Sequence, residues 1–155
     1  DAPVSFEHTR QLPLTKAFFK ETLRLYPPIT FIPRVAMREA MVGGRRLRKG
    51  ALVMIAPWTL QRHSKWWPDP HAFKPERFLP EQEASLVQGA YIPFGQGPHT
   101  CVGAGFAQTE SVLNLAELVR QFDWLLQPGQ TVRPAARMTT RPADQVMLHV
   151  RPPAA

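Results

Sequence analysis

The distribution of apolar positions changes character several times along the chain. In "PLTKAFFKETLRL", residues 13 to 25, Leu14, Phe18 and Leu25 recur at helical spacing, Pro13 suits a first-turn position, and Pro27–Pro28 ends the pattern. The next stretch, "FIPRVAMREAMVGGRRLRKGALVMIAPW", switches to short alternating runs broken by Gly43–Gly44 and Lys49–Gly50, which predicts hairpin-forming strands and a small sheet after the helix. From His63 to Gln88 periodicity is lost. Prolines stand at 68, 70, 75 and 80, interleaved with Trp66, Trp67, Phe73 and Phe78. So many aromatics predict an irregular but packed meander rather than a free linker. Helical spacing returns from about Gly103 to Phe122, with Val112, Leu115, Ala116, Val119 and Phe122 on one face. Beyond Pro128–Gly129, "TVRPAARMTTRP" and "QVMLHVRP" read as a terminal hairpin. There is no internal repeat and no low-complexity tract.

Composition narrows what these elements do. A chain of 155 residues buries a core without crosslinks, and its single cysteine excludes an intramolecular disulfide framework and any multi-cysteine zinc or iron–sulfur site. The formal charge of +7 favours acidic partners, but the arginines are scattered among prolines with no basic run and interleaved aromatics, which argues against nucleic acid. No apolar run approaches the ~20 residues of a membrane span, and no signal-peptide pattern opens the chain. The expectation is a soluble, cytoplasmic protein. A start at Asp1 without an initiator Met points to processing or to a piece of something longer.

The chemistry concentrates in "YIPFGQGPHTCVGAGFAQTE", where Gly95, Gly97, Gly103 and Gly105 surround the only thiol, Cys101. Glycines serve where the backbone takes positive φ or approaches another body closely, so four of them predict a tight loop against a flat or bulky partner. The helix that follows brings free N–H groups and a positive dipole end near the sulfur, favouring thiolate over thiol. A lone cysteine is most often a buried small hydrophobe. A nucleophilic role needs a separate base, and His99 lies too close in sequence to serve readily. The glycine setting favours a ligand.

At this point the sequence resembles the cytochrome P-450 haem-thiolate monooxygenases. "FGQGPHTCVG" matches the family's Cys-loop pattern F-x-x-G-x-x-x-C-x-G through Phe94, Gly97, Cys101 and Gly103. Upstream and in order stand "ETLR", matching E-x-x-R with Glu21 and Arg24, and "PERF", matching the meander motif with Arg77. Glu21 and Arg24, three apart, meet on one helix face, and the resemblance implies that Arg77 joins them in a buried structural triad supporting the Cys loop. It further implies that Cys101 is the axial ligand of a haem b iron, and that Phe94, Gly95, His99, Arg34, Gly103 and Gly105 contribute to the haem site. His99 stands where the family commonly has Arg, and Arg34 at its other common propionate position. His63 and His71 read as packing or surface residues.

The implied architecture is an α+β segment of the mainly α P-450 fold: E-x-x-R helix, small antiparallel sheet, Pro/aromatic meander, Cys-ligand loop, long final helix and terminal β-hairpin. Residues 1–155 resemble the carboxy-terminal part of the haem domain, because no A/G-G-x-[DE]-T segment of the oxygen-activating helix is present. The resemblance implies a bacterial-type soluble monooxygenase that inserts one oxygen atom of O2 into a small apolar substrate. Its electrons would come from NAD(P)H through an acidic ferredoxin- or flavodoxin-like donor. "FIPRV" and "ARMTTRP" are expected to line the substrate pocket. The alternative is a stand-alone or truncated haem-binding module without activity.

Overall fold

The computed structural model describes residues 3–137 and 139–153. After a 3₁₀ turn at Glu7–Gln11, α1 spans Pro13–Leu25. Proline opens α1 as anticipated. Two more end it: Pro27 and Pro28 have no N–H to continue the ladder, and Tyr26 N–H makes the last bond, to Thr22 O at 2.7 Å.

The alternating stretch forms two nested antiparallel ladders. Strand β1 (Ile32–Val35) pairs with β4 (Leu52–Ile55), and between them β2 (Ala40–Val42) pairs with β3 (Arg45–Leu47) around Gly43–Gly44. Both turn glycines have positive φ, 53° and 76°, as a two-residue hairpin turn requires. Period-2 alternation places Ile32 and Arg34 on one face of β1, half-buried, and Pro33 and Val35 on the exposed face.

The proline-rich stretch is ordered around three short pieces: α2 (Pro57–Leu60), a 3₁₀ turn at Pro75–Phe78, and α3 (Pro80–Glu83). Its aromatics wrap α1. Trp67 and Phe78 are buried with Ala17 and Ala90, and Trp66, Leu79, Leu86 and Tyr91 pack around this cluster. Phe78 and Tyr91 meet at a tilt with ring centroids 4.7 Å apart, and Phe18 meets Phe73 edge-on at 4.9 Å.

On α1 the buried residues are Ala17, Glu21, Leu23, Arg24 and Leu25; of the three that carried the helical periodicity Leu25 is buried, while Leu14 and Phe18 are 60% and 42% exposed. The long helix α4 (Ala104–Gln121) behaves similarly: Val112 is buried, whereas Val119 and Phe122 lie open. Between the two helices runs an apolar groove of about 630 Å³, lined by Leu12, Leu14, Phe18, Leu115, Ala116 and Val119 among others.

The carboxy-terminal pairing differs in detail from the expectation. The hairpin lies within the first of the two stretches, β6 (Pro134–Ala136) with β7 (Thr140–Pro142), while β8 (Leu148–Arg151) returns to pair with β5 (Asp123–Leu126), directly after α4. The Gln130 side chain explains the routing. Its amide brackets Met147, donating to Met147 O at 2.7 Å and accepting from Met147 N–H at 2.9 Å, which delivers the chain to β5 rather than to β7.

Candidate functional site

Glu21 and Arg24 are both completely buried. Three residues apart on α1, they form a bidentate pair: Nε to Oε2 at 2.7 Å and Nη2 to Oε1 at 2.8 Å. The remaining three N–H groups of Arg24 reach the carbonyls of Gln61 and Pro70 at 2.8 Å and of Ala72 at 3.0 Å. All five guanidinium donors are thus satisfied, and the Trp67 ring lies 5.1 Å from the guanidinium carbon. Glu21 also accepts the Lys74 N–H at 2.7 Å. Such a pair survives burial because every guanidinium donor is engaged and both carboxylate oxygens accept.

Arg77 approaches the same carboxylate, with its Nε 3.6 Å from Glu21 Oε1. That is an ion-pair distance and too long for a hydrogen bond. Arg77 spends its Nη2 on the Asp69 carbonyl at 3.0 Å, and its buried Nε meets no hydrogen-bond acceptor among the described residues. Sequence reasoning named Glu21, Arg24 and Arg77 but missed the meander's backbone contributions, since a carbonyl acceptor leaves no residue-type signature.

Tyr91 ties the network to the cysteine loop by donating its hydroxyl to Lys20 O at 3.1 Å. Burial, with Glu83 and Glu21 nearby, pushes this phenol well above the ordinary tyrosine range and keeps it a donor. The chain then turns: Gly95 N–H bonds Ile92 O at 3.0 Å, Thr100 N–H bonds Gly97 O at 3.0 Å, and Cys101 N–H bonds Phe94 O at 2.9 Å. Gly95 and Gly97 both sit at φ 77°, where a side chain would be strained.

Gly103 and Gly105 differ from these two. Neither takes positive φ; they open α4, and a Cβ added at Gly103 would stand 3.8 Å from Cys101 Sγ. That is an ordinary van der Waals contact, and a Cβ at Gly105 would meet nothing within 4 Å, so neither backbone conformation nor crowding among the described residues demands glycine at these two positions. The Ala104 N–H, first in α4, is taken by Cys101 O at 3.2 Å.

Cys101 is exposed and lines a cleft of about 540 Å³ together with Arg34, Phe94, Gly95 and His99. Five of the seven residues assigned to a cofactor by sequence therefore meet around one hollow. Ile29, Ile32 and Pro93 add apolar wall that sequence reasoning did not name individually. Arg34 bonds only its neighbour's carbonyl, Pro33 O, at 2.9 Å, and meets no carboxylate among the described residues. The cleft thus offers one soft thiol ligand, an apolar wall and two cationic or donor groups at its edge. That donor set fits a flat, largely apolar metal chelate carrying acidic substituents, as haem is. No cluster of three or more His, Cys, Asp or Glu suited to a bare metal ion occurs among the described residues.

"FIPRV" supplies Ile32 and Arg34 to this cleft. Of "ARMTTRP", Met138 lies outside the described residues, and Thr140, Arg141 and Pro142 line a separate hollow of about 240 Å³ beside Tyr26. His63 lies tilted beside Trp66 with ring centroids 6.4 Å apart, and it does not line the thiol cleft.

A family model described as "Cytochrome P450" matches residues 1–152. Sterol 14alpha-demethylase of Mycobacterium tuberculosis (strain ATCC 25618 / H37Rv) is 41% identical over 132 residues, covering 84% of this chain and 29% of that protein. Cyclooctatin synthase of Streptomyces melanosporofaciens is 36% identical over 129 residues, covering 83% and 28%. Among solved structures, "Crystal structure of cytochrome P450DA heme domain" superposes with a TM-score of 0.92 at 28% identity, over 99% of this chain and 34% of the other. "Retinoic acid bound cyanobacterial CYP120A1" gives 0.89 at 31% identity, over 96% and 34%. The chain spans under a third of the length of these two curated relatives.

Proposed function

The chain belongs to the cytochrome P-450 family, and from that premise we propose that residues 1–155 are the carboxy-terminal part of a haem-thiolate monooxygenase, with Cys101 as the axial ligand of a haem b iron. The observation that carries this reading is the single cleft in which the only thiol of the chain meets an apolar wall and the Arg34 and His99 side chains. When bound, haem supplies the redox chemistry by which one oxygen atom of O2 enters an apolar organic substrate. This chain's residues hold and insulate it. Cys101 would hold the iron, Phe94 and the aliphatic wall would exclude water around the sulfur, and Arg34 and His99 would meet the acidic substituents.

A small apolar substrate is in keeping with two similar proteins, one named for a sterol and one solved with retinoic acid. Electrons would come from NAD(P)H through an acidic ferredoxin- or flavodoxin-like donor, drawn to a chain with a charge of +7. Rates of electron transfer from such a donor are expected to fall as salt rises, and salt-independent rates would count against a charged docking face. No described helix is long and apolar enough to cross a membrane. The test of ligation uses the full-length protein, reduced and exposed to CO. It is expected to give the thiolate-type Soret band, and Cys101→Ser is expected to abolish it; a variant that retains the band removes the assignment.

A further inference from the structure

Gln61 is fully buried. Its position is set by α2, whose carboxy-terminal cap it forms, its N–H bonding Pro57 O at 2.9 Å. The side-chain amide joins two places that are otherwise hard to satisfy. On one side are the carbonyls of Leu23 and Arg24, whose helical donors would be the N–H groups four residues on. Those positions are Pro27 and Pro28, which have none. Gln61 Nε2 replaces both missing donors, at 3.0 and 3.1 Å. On the other side, Gln61 Oε1 accepts the buried Ile92 N–H at 2.9 Å.

Ile92 begins the turn that carries the thiol. Its carbonyl accepts Gly95 N–H, and Phe94, inside that turn, accepts Cys101 N–H at 2.9 Å. Resting on the reading of Cys101 as iron ligand, we propose that Gln61 is a positioning residue for that cysteine, fixing where the loop departs from the end of α1. Tyr91 provides a separate tether to Lys20 one residue earlier, so loss of Gln61 leaves the loop attached but able to shift. The role needs a neutral amide. A carboxylate cannot donate to the two carbonyls, and an imidazole offers one donor and one acceptor where three bonds are made.

The experiment compares Gln61→Met, of similar length without donors, with Gln61→His and with a control, Val112→Ala, in a completely buried position on α4. In the full-length protein, hydrogen exchange at the Cys101 amide is expected to speed up about tenfold in Gln61→Met, the size of one lost buried hydrogen bond. In the reduced CO complex the share of thiolate-type Soret band is expected to fall in the same variant, with Gln61→His intermediate in both readouts. Val112→Ala is expected to lower melting and move neither. The proposal is overturned if Gln61→Met leaves both readouts at wild-type values, or if Val112→Ala moves them equally. Should Gln61→Met not fold, Gln61→His decides alone: intermediate values support the role and wild-type values overturn it. Exchange at the amide is measured whether or not the sulfur binds iron, so failure of the Cys101→Ser test would leave the mechanical claim separately readable.

Discussion

Arg24 sits at zero exposure with every donor engaged, which sets how it responds to substitution. Arg24→Ala leaves the Glu21 carboxylate buried with only the more distant Arg77 as cation, at 3.6 Å, a loss of roughly 3–5 kcal/mol. Arg24→Lys keeps the charge but offers three donors on a flexible stem where five are used in a fixed plane. Both are expected to lose haem incorporation or folding in the full-length protein; normal haem content with unchanged melting would sink the structural role given to this pair. Glu117 is the opposite case, a surface carboxyl. Hydrogen bonds from Arg120, Gln121 and the Val4 N–H hold it down at about 2. Because its folded value lies below the ordinary carboxylate value of about 4.3, its contribution is complete above that value and is lost as pH falls through 4 toward 2. The melting difference between wild type and Glu117→Gln is therefore expected at neutral pH and should narrow steadily below pH 5. A difference that stays constant across that range would contradict the Arg120 and Val4 contacts.

At the scale of elements, sequence pattern located α1, the β1–β4 ladders and α4 well, because proline, glycine pairs and helical spacing act locally. It misjudged what the helices face. Leu14, Phe18 and Leu25 gave α1 its periodicity, yet of the three only Leu25 is buried, and the face turned to the core also carries Glu21 and Arg24. Periodicity reports that a helix has an apolar side and says nothing of whether that side is covered by the same chain. The β5–β8 pairing was equally hidden, since "DWLL" is too short to alternate visibly and its partner lies over twenty residues on. The candidate site was legible through its motifs: Cys101, Phe94, Gly95, His99 and Arg34 share one cleft. Gln61 was not legible, because a lone glutamine in an irregular stretch has no pattern, and its role rests on two prolines that read only as a helix stop.

The whole molecule exposes 11321 Å². A compact monomer of 17.5 kDa would expose about 7,900 Å². The excess includes the groove between α1 and α4 and open side chains such as Phe106 and Val119. Apolar surface on that scale is a demand for cover. Residues 1–155 alone are therefore expected to self-associate and to hold haem weakly, since one wall of the cleft cannot enclose both faces of the plate. Light scattering and haem titration of the purified chain check this, and a monomer forming a stable stoichiometric complex with turnover would identify a complete small haem protein instead. The Arg24 network carries a further consequence, one of timing. Its partners arrive in the order Glu21, Gln61, Pro70, Ala72 and Lys74, and Gln61 itself waits for Ile92. During synthesis the guanidinium must stay hydrated until some fifty later residues have emerged, so α1 cannot dock early and folding is held to the pace of these distant closures.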